Sequence, residues 1–364
     1  MKACGIITEY NPFHNGHMYH IEQARKLTNC DVLIAVMSGN FVQRGEPAIV
    51  DKWIRASYAI QHGVDLVIEL PFPYAVQSAD YFAKGAIQCL QLANVSDLVF
   101  GSETNNLARL KDIVSSTNIQ TAKDISFAAN FAQHHTSFLS NDILGVSYLK
   151  ALENTNIQPH TIQRTNQYHD TSLQQSIASA SAIRKGVLER QDISHTTVMA
   201  DVLHNKHAYE HYYPLIQHIL QTTPASTLQE YFLMDEGIQH QMIRHSFTCQ
   251  TLQEFLHTCT SKRYTKSRIQ RTLIHLMTHT IKQQIQDLPP LQYLRILAFN
   301  ETGKKYLSKL KKDNTLILAS RFNQIPESYR TLELQATCTY AYPLSAQEKQ
   351  KAIQKEWRHI IYSK

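Results

Sequence analysis

No stretch of this sequence is long or apolar enough to cross a membrane, which takes roughly 18 or more consecutive apolar residues. The opening Met1-Lys2-Ala3-Cys4-Gly5 also lacks the apolar core and small-residue cleavage site of a secretory signal. A soluble, cytoplasmic protein with no membrane contact is expected. The six cysteines, Cys4, Cys30, Cys89, Cys249, Cys259 and Cys338, contain no C-x-x-C pair, so neither a zinc ribbon nor a disulfide framework is indicated, and buried reduced thiols are expected. Of the eleven glycines none belongs to a G-x-G-x-x-G, and Gly39 and Gly45 do not precede Lys-Ser/Thr, which excludes the dinucleotide fingerprint and the P-loop. There is no H-E-x-x-H, and no metal site is expected.

What is present is an ordinary globular balance, 43% apolar and 18% charged over 364 residues, a length that favours two domains. The charge is unevenly divided. Residues 1–190 carry 15 Lys+Arg against 16 Asp+Glu, whereas residues 191–364 carry 21 against 14. A basic second half raises the local concentration of a polyanion such as nucleic acid, although the same excess also serves plain solubility.

The first hundred residues alternate short apolar runs with helical patterns. Residues 5–8, 31–37, 65–70 and 97–101 read as strands buried on both faces, and 17–28, 51–62 and 78–92 as helices, the last behind a Ser78 N-cap. The βαβαβα order predicts an α/β fold, a doubly wound parallel sheet, followed by a mainly α-helical C-terminal domain; the division is placed at 1–190 and 191–364. In such a sheet ligands bind beyond the carboxyl ends of the strands.

The segment after the first strand therefore carries the most information. It reads Ile7-Thr8-Glu9-Tyr10-Asn11-Pro12-Phe13-His14-Asn15-Gly16-His17-Met18-Tyr19-His20. Pro12 ends the strand, and a helix opening near Gly16 aims free N–H groups at a phosphate. His14 and His17 then donate to charge developing on a departing phosphate oxygen, while Gly16 leaves room for the nucleotide.

This N-P-F-H-N-G-H core resembles the HxGH motif of the HIGH-type, Rossmann-like nucleotidyltransferases. Together with S-G-N-F-V-Q-R-G-E-P-A, D-L-V-I-E-L-P, Q-S-A-D and N-D-I-L-G, it closely resembles the bacterial tRNA(Met) cytidine acetate ligase family. The resemblance is close over residues 1–185 and looser beyond. It implies a two-step ligase: acetate attacks the α-phosphate of ATP to give acetyl-adenylate and pyrophosphate, and N4 of the wobble cytidine of elongator tRNA(Met) then takes the acetyl group, releasing AMP. It also implies ATP binding by Ile7 to His20, Gly101, Asn141 and Arg164. Ile177 to Lys185 resembles the superfamily's I-S-S-T-x-I-R phosphate loop; Ala180 and Ala182 depart from it, leaving Ser179, Ser181 and Arg184 as phosphate contacts. The expected catalytic residues are His14, His17 and Arg184. Magnesium is a chemical expectation for a triphosphate.

Other residues stay open. Arg44 and Glu46 read as lid residues or as a surface ion pair. Asp142 reads as a ribose or metal contact, or as an N-cap. In the basic half Lys262, Arg263, Lys266, Arg268 and Arg271 crowd the start of a helix expected over 266–288, where cations oppose the macrodipole, and tRNA phosphate is the expected partner. Lys304, Lys305, Lys309, Lys311 and Lys312 form a second stripe, and Tyr264 and Tyr306 read as base-stacking or core residues. No RRM, KH or dsRBD signature accompanies them. A small-molecule adenylyl- or cytidylyltransferase of the same superfamily, acting without RNA, is the alternative function, and a catalytically silent RNA-binding protein a further one.

Overall fold

Strand β2 (Val32–Ser38) is buried at all seven positions, the pattern of a strand covered on both faces. The computed structural model, which describes residues 1–116, 140–164, 173, 176–312, 315–358 and 360–363, places it at the centre of an eight-stranded sheet. With β1 (Ala3–Thr8), β5 (Leu66–Leu70), β6 (Asp97–Ser102) and β7 (Gln158–Gln163) it forms a parallel block in the order β5-β2-β1-β6-β7. The chain leaves β1 in one direction to β2 and later returns on the other side at β6. The carboxyl end of β1 is thus the topological switch point, where a ligand cleft opens. A two-stranded hairpin, β3 (Phe41–Val42) and β4 (Glu46–Pro47), follows β2.

The helices expected between the strands form as α1 (Asn15–Thr28), α2 (Lys52–Gln61) and α4 (Ala79–Leu92), with a short α3 (Phe72–Ala75) before the last. The stripe Phe82, Ala83, Ala86, Ile87 and Leu90 of α4 lies in the core beneath β2 and β5. Ser78 does precede α4 but its side chain makes no capping bond; its own N–H goes to the Gln77 side-chain oxygen. Helix α5 (Leu107–Ser116) packs on α6 (Ser140–Ala151), which packs on α4, and α7 (Ala180–Leu188) follows β7.

The second half is mainly helical: α8 (Tyr213–Thr222), α9 (Ala225–Leu228), α10 (Ile238–Ser246), α11 (Leu252–Cys259), α12 (Lys266–Met277) and α13 (Lys282–Gln286) come first. The helix expected over 266–288 is therefore two, broken where His279 adopts a left-handed φ of 52°. These helices share a core with Phe41 and Phe72 of the first half.

Beyond them the chain returns to the parallel sheet. Strand β8 (Tyr293–Phe299) pairs antiparallel with β5, and β9 (Ile317–Ala319) and β10 (Ile361–Tyr362) pair with β8. Between them run α14 (Glu301–Leu310), α15 (Glu327–Tyr340) and α16 (Ala346–Arg358). A buried ion cluster secures this return: Lys52 of α2 donates to Glu69 of β5 at 2.7 Å and to Glu356 of α16 at 2.8 Å. Arg295 of β8 joins it, its guanidinium 3.8 Å from Glu356. Burial pushes the nearby Glu333 carboxyl up to about 8, so it holds a proton and leaves two cations facing two carboxylates. Charges this deep persist only because they are mutually neutralised.

Candidate active site

Past Thr8 the chain turns sharply, with bulky Tyr10 held at a φ of 49°, a strained conformation of the kind that gathers at functional sites. The turn is held from below by Arg55 of α2, which is wholly buried and donates to the carbonyls of Glu9 (2.6 Å), Ser38 (3.0 Å) and Gly39. One guanidinium thus fixes the ends of β1 and β2 together. Asn11 accepts the Ile49 N–H at 2.8 Å, and Phe13 is buried against the rings of Tyr10 and His17.

His14 then caps α1. Its Nδ1 accepts the Gly16 N–H at 3.1 Å, and His17 Nδ1 accepts the His14 N–H at 3.1 Å, a reciprocal box in which imidazoles replace the usual hydroxyl and carboxylate. With both Nδ1 lone pairs occupied, each neutral ring carries its proton on Nε2 as a donor. The rings lie against each other at a tilt of 33°, 3.8 Å between centroids. Burial first, then the Arg164 and Arg184 charges, pull His14 down to about 3; burial and the His14 neighbour hold His17 well below the usual range. His20 donates to Val99 O at 3.0 Å and is lowered to about 4, mainly by burial.

Both histidines line a cavity of about 680 Å³ at the switch point. Of the segment from Ile7 to His20, Ile7, Thr8, Glu9, Tyr10, Asn11, Gly16, Tyr19 and His20 also line it, while Pro12, Phe13, Asn15 and Met18 stand behind. Asn15 donates to Ser176 O (2.7 Å) and His195 O (3.0 Å), tying the start of α1 to the segments before and after α7.

On the β6–β7 side Gly101, Asn141 and Arg164 meet. A Cβ at Gly101 would sit 3.1 Å from Arg164 Cγ, and Arg164 Nη1 donates to Asn141 Oδ1 at 3.2 Å. Asp142 is wholly buried and off the cavity wall; its Oδ1 accepts from Ser102 Oγ and from the Glu103 N–H at 3.1 Å. It closes the turn after β6, so it is neither the N-cap of α6 nor exposed to a ribose. Ser179 caps α7 by accepting the Ala182 N–H at 3.1 Å, and its hydroxyl lies 3.0 Å from that of Ser181. Arg184, on the same helix, donates to Asn11 O (2.8 Å) and to Glu46 (3.0 Å).

The β3–β4 hairpin covers the opposite side. Glu46 links Arg184 to Gln270 Nε2, 3.0 Å from its other oxygen, so it is a brace between α7 and α12 and not a surface ion pair. Gly45, at φ 77°, packs so closely on α12 that a Cβ would collide with the backbone of Gln270 and Arg271. Arg44 also lines the cavity.

The five basic residues at the start of α12 separate. Arg268 and Arg271 line the cavity, Arg271 donating to Gln43 O at 3.5 Å. Arg263 and Arg268 pair with Glu236 at 3.0 and 3.5 Å, and Lys262 and Lys266 are exposed. Neither tyrosine is placed to stack on a base: Tyr306 is buried and donates to the carbonyls of Ala93 and Asn94, and Tyr264 is buried under Arg268. Sequence reading missed Arg55, whose place on an amphipathic helix reads as solvent, and Tyr148, Thr265 and Ser267 of the cavity wall, which carry no motif. Among the described residues no group of three or more His, Cys, Asp or Glu is arranged to hold a metal, and no helix is long and apolar enough to cross a membrane.

The HIGH Nucleotidyl Transferase family model matches residues 1–356. A tRNA(Met) cytidine acetate ligase of Leuconostoc citreum is 43% identical, over 89% of this chain and 88% of its own. That of Bacillus subtilis is 34% identical over 99% and 96%. The crystal structure of apo Thermotoga maritima TmcAL superposes with a TM-score of 0.88 at 28% identity, covering 100% of this chain and 99% of that one. The same protein bound to alpha-thio ATP gives 0.85. A switch-point cavity behind a reciprocally capped histidine pair, and likeness along the whole chain, have one reading: the protein belongs to the HIGH nucleotidyl transferases and, among them, to the tRNA(Met) cytidine acetate ligase family.

Proposed function

We propose that the protein is a cytoplasmic ligase that uses ATP to acetylate N4 of the wobble cytidine of elongator tRNA(Met), through acetyl-adenylate, with release of pyrophosphate and AMP. The observation that carries the reading is the pair of neutral Nε2–H donors on His14 and His17 in a cavity whose cationic wall residues are arginines. Attack of acetate on the α-phosphate gathers negative charge on the departing pyrophosphate. Preorganised donors that stay neutral stabilise that charge without a proton to lose. Ser179, Ser181 and the α7 N-terminus are suited to the same phosphates, with Arg184 held beside them. Gly101, Asn141 and Arg164 form the adenosine side. Magnesium would travel with the triphosphate.

In this reading residues 1–190 supply the ATP chemistry and the region from 191 onward supplies RNA contacts, with Arg268 and Arg271 at the meeting of the two. Exchange of labelled pyrophosphate into ATP, measured without RNA, tests the first step. It is expected to require acetate and to vanish in His17→Ala. Exchange that ignores acetate and depends on a nucleotide or phosphorylated acceptor would instead favour the small-molecule transferase.

A further inference from the structure

The second step has a proton to dispose of. As N4 of cytidine attacks the acetyl carbonyl, the N–C bond forms, the C–O bond to phosphate breaks, AMP leaves with the electron pair, and the amine sheds one proton.

The described cavity wall offers few acceptors. His14 and His17 have both Nδ1 lone pairs occupied by backbone N–H groups. His20 is committed to Val99 O through Nε2 and is a weak base, its acid form drawn down to about 4. Two carboxylates line the cavity, Glu9 and Glu46. Glu46 is spent on Arg184 and Gln270, one partner for each oxygen. Glu9 differs. Its Oε1 is fixed by the Gln43 N–H at 2.8 Å and its backbone carbonyl by Arg55, whereas Oε2 has no partner among the described residues.

An ionised carboxylate here works against direct contact with ATP phosphates or acetate, which are both anions. It does suit an amine: a carboxylate accepting from N4–H is the natural reader of cytosine. Burial raises the Glu9 carboxyl above its ordinary value, which makes it a better proton acceptor once ionised.

Resting on the ligase reading, we propose that Glu9 is the general base of acetyl transfer, accepting the N4 proton at Oε2. Glu9→Gln keeps the bond from Gln43 and cannot take the proton. With the full-length enzyme, transfer to saturating tRNA in the variant is expected to fall about a hundredfold or more beyond any loss in acetate-dependent pyrophosphate exchange, the two read side by side. The wild-type transfer rate should rise with pH through the Glu9 titration, and the variant should lack that limb. Parallel loss of exchange and transfer, as a metal or ATP ligand would give, overturns the assignment, and so does undiminished transfer. A wild type that exchanges pyrophosphate but leaves tRNA unacetylated overturns the ligase reading and this assignment with it.

Discussion

His17 Nδ1 accepts the backbone N–H of His14 at 3.1 Å, so the second histidine of the motif caps the helix that the first one opens. Its reactive face is consequently a donor at every pH of interest. Pyrophosphate exchange should be flat between about pH 6 and 8, because both acid forms lie well below the ordinary histidine value near 6.5. An inflection near that value in the exchange profile would mean that an imidazolium takes part. His17→Ala is expected to cost about a hundredfold or more in exchange, the usual loss for one donor to a developing oxyanion.

The parallel sheet and this turn are legible in the sequence because the strands are uniformly apolar and the motif is local. The apolar runs at 31–37 and 65–70 match β2 and β5 to within a residue or so. What the sequence hides is long-range. Tyr293–Phe299 reads as one apolar segment in a helical region, and its antiparallel place beside β5 depends on Lys52 and Glu69 meeting Glu356, hundreds of positions further along the chain. The basic cluster divides for the same reason: α12 turns Arg268 and Arg271 toward the cavity and leaves Lys262 and Lys266 outside, a distinction set by how α12 meets the β3–β4 hairpin.

That distinction is measurable. Lys262→Ala with Lys266→Ala should weaken tRNA binding and lower its salt dependence by about one unit of slope for each phosphate that is no longer neutralised, with pyrophosphate exchange intact. Arg271→Ala should impair exchange as well. Equal effects of the two variants on exchange would put the lysines at the ATP site or remove Arg271 from it.

Gly45→Ala tests the hairpin as a fixed wall. The added methyl meets the α12 backbone, and φ of 77° is already unfavourable for alanine, so a stability loss of about 1–3 kcal/mol is expected, read from denaturant unfolding. An unchanged unfolding midpoint would mean the hairpin moves freely off α12.

The buried cluster makes stability depend on pH in a defined direction. Glu333 keeps its proton in the folded protein up to about 8 but loses it near 4.5 when unfolded. The folded state therefore binds more protons across that window, and stability falls as pH rises through it. Glu333→Gln removes this contribution, so its melting temperature should decline less between about pH 5 and 8 than that of wild type. An identical decline in both would place the titration elsewhere.

The most direct test of the central claim is incubation of the protein with ATP, radiolabelled acetate and total bacterial tRNA, followed by digestion to nucleosides. The account predicts label in N4-acetylcytidine from elongator tRNA(Met), absent when His17→Ala replaces the wild type. Unlabelled RNA, with acetate-independent formation of a dinucleotide or nucleotide ester, would contradict it.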